Sequence, residues 1–382
     1  MAVSAAKILH VVVNFSLTDR GIREFEAVAP GVNEFVRVGP SLNSQFRLPD
    51  CVRTLTPRQF RGEVRRAEVA GVVFHSLPPH HRRLLRDIPP GKVVVWIGWG
   101  FDYYDDLLWT RYPDGLVLPG TRALVRQSSW RNPAEMARDC IQRIKSACTG
   151  NDVGLLRRVD VFCPVLDQEY ELVRSANPWF GADYLTWNYL TLEDDMPFDL
   201  PDGEKRQGVD LLAGNSASPT NNHVELFEAI ARHVDLAGRR VYVPLGYGDP
   251  RYRDRVVAAG ERLLGSHFVP LTEYLPYPEY VGLVSSCGYV LMYHLRQQAL
   301  GNLFLAALSG ARIFLERRNP LWEWLEQRGV EIGDVTAPDT RPATPQQRSA
   351  SRVAIITHWQ RATQRQRTAR LVGRILGAEP QS

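Results

Sequence analysis

Short apolar runs rich in valine, isoleucine and aromatic residues alternate along most of the chain with stretches whose apolar residues recur at helical spacing. Runs of this kind bounded by turn-forming residues predict strands, and the longer periodic stretches predict helices. The predicted strands are residues 8–13, 35–38, 72–75, 93–97, 159–163, 209–213, 241–244, 289–293 and 312–316. The predicted helices include residues 133–147, 221–233, 251–264, 278–286, 299–309 and a last one at 352–376. Strands that alternate with helices favour an α/β fold with parallel sheets, and right-handed crossovers then give Rossmann-like domains.

The clearest interruption of this pattern is residues 191–208, where charges, prolines and glycines cluster with little apolar periodicity. We interpret this stretch as a linker, because a new α/β unit starts directly after it at Val209. We therefore predict a first domain over residues 1–200 and a second over residues 205–345. The last helix lies in a final segment over residues 350–378.

Composition limits the class of protein. The chain has 382 residues, of which 44% are hydrophobic and 23% charged, and its net charge is +4. These values exclude a disordered chain, and the length allows two domains. The longest apolar stretch is far shorter than the roughly 20 residues of a membrane-spanning helix, and the N-terminus lacks the pattern of a signal peptide. We therefore expect a cytoplasmic protein.

The basic residues are strongly biased towards arginine. Four lysines leave 42 arginines among the 46 basic residues. Genomic base composition would explain this bias, and so would recognition of phosphate, which the guanidinium group binds through two hydrogen bonds. Composition alone leaves both explanations open.

Polar residues follow the first predicted strand of the second half, at the end where an open parallel sheet binds ligands. Gly214, Asn215 and Ser216 come directly after this strand, and Asn221 and His223 open the next helix. Such residues suit an anion, because free backbone NH groups and the positive end of the helix dipole face it. Ordinary turn and N-cap chemistry would explain the same residues.

The other strand ends of this half carry a similar set of groups. The candidate binding residues there are Gly246, Tyr247, Gln297, Gln298, Gly301, Asn302, Glu316 and Asn319, and Arg296 is a candidate catalytic cation. A solvated charged loop would account for each end alone, but four such ends together suit a nucleotide diphosphate. The sequence has neither a P-loop nor a complete GxGxxG, which argues against an NTPase and a standard NAD enzyme.

Two residues of the first half are candidate general bases. His75 ends one predicted strand, and Asp102 lies in the segment after the next strand. Either side chain would be able to take a proton from a sugar hydroxyl if it lay in an interdomain cleft. A satisfied buried histidine and a helix N-cap aspartate are the structural alternatives, and the sequence does not choose between the two bases.

No metal site is expected. The acidic pairs Asp105-Asp106 and Asp194-Asp195 stand at a predicted helix start and in the linker, and neither is a D-x-D after a strand. Arginine and helix dipoles would instead stabilise a departing diphosphate. We therefore expect neither a metal nor another cofactor.

Six of these segments, in register, resemble one glycosyltransferase family. The second half carries G-N-S-x-x-x-x-N-x-H at 214–223, V-x-V-P-x-G-Y at 241–247, R-Q-Q-x-x-G at 296–301 and N-P-x-W at 319–322, and the first half carries Phe74-His75 and W-x-x-W-G-x-D-x-Y at 96–104. This set is similar to that of the fucosaminyl transferases of glycosyltransferase family 56, the 4-alpha-L-fucosyltransferases. These enzymes move N-acetylated 4-amino-fucose from its dTDP-sugar to the polyprenyl-linked intermediate of enterobacterial common antigen. The likeness covers about residues 70–330, and Arg318 replaces the family's glutamate before Asn-Pro, with Glu316 two positions upstream.

The resemblance implies a GT-B architecture, in which two Rossmann-like domains face a cleft. The C-terminal domain would hold the donor, the N-terminal domain the acceptor, and the last helix would cross back to pack on the N-terminal domain. The implied activity is transfer of a deoxy or amino sugar, of the fucosamine type, from a dTDP-sugar to a lipid-linked saccharide or other glycan in bacterial surface polysaccharide synthesis. With the metal argument above, we expect a metal-independent hexosyltransferase.

The expected partners are the nucleotide sugar and a polyprenyl-diphosphate-linked or other glycan acceptor. Arg82, Arg83 and Arg86 would meet anionic headgroups, which would make the protein peripheral at the inner face of the cytoplasmic membrane. No nucleic acid is expected, because the sequence shows no contiguous basic stripe. A nucleotide-sugar epimerase of the same architecture, and a glycosyltransferase with another donor and a non-lipid acceptor, remain alternatives.

Overall fold

A computed structural model describes residues 6–15, 17–39, 47–128, 151–196 and 208–378. These residues form two compact units, each built on its own parallel sheet. The first unit comprises Met1–Arg111, Asp139–Tyr189 and Arg361–Ser382, and the second comprises Tyr112–Arg138 and Leu190–Gln360. Within the described ranges, no helix is long and apolar enough to cross a membrane.

Strands and helices alternate along most of the described chain. The strands are β1 Lys7–Val11, β2 Asn33–Val38, β3 Arg53–Leu55, β4 Val69–Phe74, β5 Val93–Ile97, β6 Val161–Cys163, β7 Asp183–Tyr184, β8 Leu211–Ala213, β9 Val241–Pro244, β10 Phe268–Leu271, β11 Tyr289–Met292, β12 Arg312–Leu315 and β13 Ile332–Asp334. The helices are α1 Thr18–Val28, α2 Pro57–Glu63, α3 Pro79–Arg82, α4 Tyr104–Leu107, α5 Pro119–Ser128, α6 Asn151–Gly154, α7 Asp167–Ala176, α8 Leu192–Asp195, α9 His223–His233, α10 Pro250–Leu264, α11 Tyr277–Ser286, α12 Leu300–Leu308, α13 Pro320–Glu326, α14 Pro345–Trp359 and α15 Arg361–Leu376. Short 3-10 helices lie at Arg83–Asp87, Leu155–Arg158, Pro219–Asn221 and Gly265–His267.

The sheet of the first unit has the strand order β3-β2-β1-β4-β5-β6-β7, and all its strands are parallel. The last helix, α15, packs its residues Leu371, Val372 and Ile375 into the core of this unit. Gly71 of β4 permits this contact, because a Cβ there would lie 2.7 Å from Ile375 Cγ2. The direction of strand order reverses between β1 and β4, which defines the switch point of the sheet.

The sheet of the second unit has the strand order β10-β9-β8-β11-β12-β13, again with parallel pairing. This is the doubly wound order of dinucleotide-binding folds, with the switch point between β8 and β11. Helix α5 belongs to this unit, and its Leu124 and Val125 pack against the core. The start of α5 is held by the Glu225 carboxylate of α9. This carboxylate accepts hydrogen bonds from Gly120 N at 2.7 Å and from Thr121 Oγ1 at 2.6 Å.

The predicted α/β class with two parallel sheets is confirmed, and each of the nine predicted strands is found with shifted or identical ends. The four strands that the sequence pattern missed, β3, β7, β10 and β13, are the four outer strands of the two sheets. An outer strand is paired on one side only and is less covered, so it lacks the continuous apolar run of a central parallel strand. The burial of β3 and β7 shows this, since only one of their five residues is buried.

Several predicted boundaries differ from the structure. The predicted first domain, 1–200, includes Tyr112–Ser128, which the structure gives to the second unit. The predicted last helix, 352–376, is two helices, α14 and α15, because the backbone at Gln360 is extended. The predicted helix 133–147 and most of the linker 191–208 lie outside the described residues.

Candidate functional site

The switch point of the second sheet is the natural place for a ligand in this unit. The carboxyl ends of β8 and β11 lie side by side there, since Leu291 pairs with Ala213. The segment that follows β8 begins with Gly214, Asn215 and Ser216, and the one that follows β11 contains Arg296. In open α/β sheets the ligand crevice lies outside the strand ends at this position. The structure therefore brings the motifs of two strand ends to one place.

Asn221 organises this end of the sheet. Its Oδ1 accepts a hydrogen bond from Asn215 N at 2.8 Å, and its Nδ2 donates to the Ser216 and Ser218 carbonyls, both at 3.1 Å. The same Oδ1 lies 2.9 Å from His294 Nε2, which must therefore carry the proton. Asn221 is fully buried, so it shapes the loop and does not present its amide to a ligand. This corrects its assignment as a donor-binding residue.

Gly214 and His223 explain the spacing of the first motif. Gly214 has φ +72°, and a Cβ there would lie 2.9 Å from Asn221 Oδ1 and 3.2 Å from His223 Nε2. Glycine is required here, because it adopts a positive φ without strain and has no Cβ to collide with these two side chains. His223 is fully buried, and its Nδ1 lies 2.9 Å from Tyr252 OH. Burial lowers the pKa of His223 to about 3, which keeps the ring neutral. Its full burial and its contact with Tyr252 give it a structural role in the start of α9.

Asn215 joins three loops at the carboxyl end of the sheet. Its Nδ2 donates to Tyr247 OH at 2.8 Å, and its Oδ1 accepts from Gln298 Nε2 at 3.0 Å. Gln298 Oε1 in turn accepts from Thr220 Oγ1 at 2.9 Å. Asn215 thus contacts both Tyr247 and Gln298, which were predicted from two other motifs.

A pocket of about 170 Å³ opens beside these residues. Its lining is mostly aromatic and aliphatic, with a few polar groups, as small-molecule sites commonly are. The residues that line it are Asn215, Pro244, Gly246, Tyr247, Leu271, Glu273, Tyr274, Leu275, Tyr277, Tyr280 and Asn302. A Cβ on Gly246 would lie 2.7 Å from the Glu273 carbonyl oxygen, so glycine lets the loop after β9 approach the one after β10.

The sequence missed about half of this pocket. The residues 271–280 were not predicted as part of any site, because the outer strand β10 that precedes them was not predicted. The signal available was the run Tyr274-Leu275-Pro276-Tyr277, where aromatic residues accompany a proline. Their side chains become a pocket wall only because β10 pairs with β9.

The start of α12 is open to a ligand. Ala299, which precedes it, has φ +62°, a left-handed conformation that is strained for alanine, and its side chain provides no cap. A Cβ on Gly301 would have no atom within 4 Å. The first NH groups of a helix have no intrahelical partners, so this end combines free donors, a positive dipole and space.

Arg296 lies in the segment between β11 and α12. Its guanidinium Nη1 approaches the Gln297 carbonyl oxygen at 3.4 Å, and no carboxylate among the described residues pairs with it. The cation adds to burial in lowering the pKa of His294 to about 3. The neighbouring predicted residue, Gln297, is buried. Arg296 thus offers a positive charge beside the open helix end.

Asn319 and Glu316 serve the loops rather than a ligand. Asn319 Nδ2 donates to the His294 and Arg296 carbonyls at 3.1 and 3.0 Å, and its Oδ1 caps α13 through Leu321 N. Glu316 Oε1 accepts from Arg318 Nε at 2.7 Å, and Glu316 Oε2 accepts from Arg318 N at 2.6 Å. Arg318, which stands where the family has a glutamate, therefore neutralises the charge of Glu316, two positions upstream. These contacts correct the assignment of both residues to donor binding.

In the first unit, His75 is a satisfied buried residue. His75 Nε2 lies 2.9 Å from His10 Nδ1, and His75 Nδ1 lies 2.5 Å from Tyr189 OH. Burial lowers the pKa of His75 well below its ordinary value, and that of His10 to about 3. Both ring nitrogens of His75 are occupied by protein groups. The structure therefore does not support its prediction as a general base.

Asp102 is likewise held by the protein itself. Its Oδ2 accepts hydrogen bonds from Trp96 Nε1 at 2.8 Å, Leu77 N at 2.9 Å and Ser76 Oγ at 3.1 Å, and its Oδ1 accepts from Trp99 N at 2.9 Å. The residue is only 3% exposed. Four hydrogen bonds thus commit the carboxylate to its own loop and to β5, a structural role that differs from the predicted role as the catalytic base.

Known structures share the architecture of this chain. HepE of Anabaena, solved with UDP and glucose, superposes with a TM-score of 0.57 at 13% identity, over 97% of this chain and 99% of that one. A glycosyltransferase of Rickettsia africae gives 0.58 at 10% identity, over 98% and 99% of the two chains. A UDP-forming trehalose-phosphate synthase of Burkholderia xenovorans gives 0.57 at 10% identity, over 98% and 100%. The fold is therefore that of the GT-B glycosyltransferases, as the resemblance implied.

The family comparison concerns the second unit. Residues 189–339 match the family model described as 4-alpha-L-fucosyltransferase, glycosyl transferase group 56. This range contains the four motifs of the second half, the pocket and the open start of α12. Together with the fold, the match supports a glycosyltransferase. The resemblance drawn from the motifs is thus confirmed, because residues 189–339 are similar to the 4-alpha-L-fucosyltransferases of glycosyl transferase group 56.

Proposed function

We propose that this chain is a metal-independent glycosyltransferase that binds a nucleotide-sugar donor in its second unit. The observation that carries the proposal is the arrangement at the switch point, where an aromatic pocket lined by Asn215 and Asn302 adjoins the open start of α12. The segment before this helix holds Arg296, which no carboxylate among the described residues pairs. The pocket suits a flat base, and the helix end suits a diphosphate. Both lie in the range that matches the family.

The base would lie among the tyrosines of the pocket. Tyr247, Tyr274, Tyr277 and Tyr280 give it aromatic surface on several sides, and Asn302, beside the Tyr280 hydroxyl, gives it a hydrogen-bonding group. The pocket, of about 170 Å³, offers room for one base. We propose a dTDP-sugar of the fucosamine type as donor, in line with the family match.

The chemical step transfers the sugar from the diphosphate to an acceptor hydroxyl. The bond between the anomeric carbon and the diphosphate oxygen breaks, with its electron pair leaving on the diphosphate, and a bond to the acceptor oxygen forms. The acceptor hydroxyl gives up its proton to the departing diphosphate or to water. Negative charge develops on the diphosphate, and the α12 NH groups with Arg296 would stabilise it in place of a metal ion. The groups are fixed before the reaction, because Asn319 holds the Arg296 backbone.

For the acceptor we propose a lipid-linked saccharide, or another glycan of bacterial surface polysaccharide, on the basis of the family match. A peripheral position at the inner membrane face would then use the exposed Arg83 and Arg86. Arg82 does not belong to this set, because it is 2% exposed and pairs with Asp106 at 2.7 Å.

Calorimetric titration of the full chain with dTDP, UDP and GDP tests the proposal. We expect dTDP to bind most tightly, and release of dTDP from a dTDP-sugar to require an acceptor. Conversion of the donor alone into a new nucleotide sugar would identify an epimerase instead. Failure of all three nucleotides to bind would remove the donor site from the second unit.

A further inference from the structure

Three aromatic side chains gather at the carboxyl ends of β1 and β5 in the first unit. The ring centroids of Phe15 and Trp99 are 5.1 Å apart, and those of Phe15 and Phe101 are 5.4 Å apart. Phe101 is 43% exposed, and the other two rings are half-buried. We call these three residues the aromatic platform. Aromatic side chains commonly line the binding sites of small molecules, and this cluster is partly open to solvent at the strand ends, where open α/β sheets bind their ligands.

The backbone that carries the platform is fixed. A Cβ on Gly98 would lie 2.7 Å from the Tyr103 ring, and Gly100 has φ +96°, so both glycines are required by the turn. Asp102 Oδ1 accepts a hydrogen bond from the Trp99 backbone NH, and Asp102 Oδ2 accepts one from Nε1 of Trp96, which lies in β5. The aspartate thus ties the loop to β5 and sets the position of Trp99.

A second buried network supports the platform from behind. The Tyr189 ring packs on Trp99 with centroids 4.5 Å apart, and the Tyr189 hydroxyl is held by His75. The proton positions follow from Asn33, whose Nδ2 donates to the Phe25 and Ala29 carbonyls, so that its Oδ1 accepts from His10 Nε2. A neutral His10 then accepts at Nδ1 from His75 Nε2, and His75 accepts at Nδ1 from Tyr189. This directed chain fixes the orientation of the Tyr189 ring.

Backbone strain accompanies these contacts. Ser76, at the end of β4, has φ +108°, which is unfavourable for a residue with a side chain, and its hydroxyl donates to Asp102 Oδ2. Strain of this kind persists where the surrounding structure fixes it and is concentrated at functional sites. Since β4 and β1 flank the switch point of the first sheet, the platform borders the position where such a sheet binds a small polar ligand.

We propose that the aromatic platform binds a pyranose ring of the acceptor saccharide by stacking. A pyranose presents C–H groups on one face, and their partial positive charge meets the negative face of an aromatic ring. The hydroxyls then remain at the rim, free for transfer or hydrogen bonding. The inference rests on the proposed function, which supplies the saccharide. It gives His75 and Asp102 a role as positioning residues, which hold Tyr189 and Trp99.

Saturation-transfer NMR on the full chain tests the platform directly. The probes are the methyl glycosides of glucose, galactose, N-acetylglucosamine and N-acetylgalactosamine at millimolar concentration. We expect saturation of the protons on one ring face of at least one glycoside. Phe101→Leu should weaken its binding at least fivefold, whereas Phe101→Tyr should retain it. Trp109→Leu is the matched control, because Trp109 is 64% exposed in the same unit and lies outside the platform.

Titration of the same variants with dTDP separates this inference from the proposed function. Normal dTDP binding, together with glycoside binding that depends on Phe101, supports both. If dTDP binds normally but no glycoside binds, the platform alone is overturned. The same conclusion follows if glycoside binding is unchanged in Phe101→Leu. Glycoside binding that depends on Phe101 in a chain that binds no nucleotide supports the platform and overturns the donor site. An equal loss of dTDP and glycoside binding in Phe101→Leu would show that the ring has no selective effect on the saccharide, which overturns the platform.

Discussion

The backbone NH of Trp99 donates a hydrogen bond of 2.9 Å to Asp102 Oδ1. The carboxylate that the sequence marked as a base is thereby committed to the loop that carries Trp99. With three further donors on Oδ2, it has a structural role that a substitution can measure.

Asp102→Asn should destabilise the protein. The NH2 of the new amide would face at least one of the four hydrogen-bond donors, and the negative charge that the other donors meet would be lost. We expect the free energy of unfolding to fall by about 2–4 kcal/mol. We expect a lower thermal unfolding midpoint and unchanged dTDP affinity. A variant with wild-type stability that has lost all transfer would restore Asp102 as the base.

Arg296→Ala should reduce turnover tenfold or more while the fold survives. Its charge has no carboxylate partner among the described residues, so its removal leaves no buried partner uncompensated. Arg317→Ala is the matched control, because that guanidinium pairs with Asp334 at 3.0 Å and stacks on Trp322. Steady-state kinetics with saturating donor compare the two, and equal effects would contradict the leaving-group role.

Gly301→Leu should weaken dTDP binding at least tenfold. A Cβ at this position has no atom within 4 Å, so a side chain can begin there and occupy the space at the start of α12. Gly62→Leu, on α2 of the first unit, is the control, because a Cβ there also has no atom within 4 Å. Calorimetry measures both, and full affinity in Gly301→Leu would place the diphosphate elsewhere.

Stability should fall as the pH is lowered from about 6.5 to 4. Burial lowers the pKa of His10, His223 and His294 to about 3 and that of His81 to about 4, so the unfolded chain binds more protons in this range. Each such group contributes up to about 1.4 kcal/mol per pH unit. Thermal melts of His81→Gln should show a shallower dependence than wild type. The same pH dependence in wild type and in His81→Gln would contradict this account.

Activity should persist in the presence of a chelator. Within the described ranges, no three histidine, cysteine or acidic side chains are grouped as a metal site, and the proposal assigns charge stabilisation to Arg296 and α12. Assays with EDTA, followed by addition of Mg²⁺ or Mn²⁺, measure this. Loss of transfer that a divalent ion restores would disprove the metal-independent mechanism.

The sequence by itself determined the central strands, the two-unit plan and the segments that carry the proposed donor site. Central parallel strands are covered on both faces, and this gives the continuous apolar runs that a pattern can detect. The motif spacing of Gly214, Asn221 and His223 is also local, because a tight turn followed by a helix start fixes all three within ten residues.

Only the tertiary structure decided what these residues do. Asn319 reaches the carbonyls of a segment more than twenty residues away, and His75 reaches Tyr189 across 114 positions. Hydrogen bonds between distant segments satisfy buried polar groups, and no local pattern reveals which partner a polar side chain will meet. A histidine or aspartate after a strand therefore predicts a site in the sequence, whereas its partners in the fold determine whether it contacts the ligand or holds the residues that do.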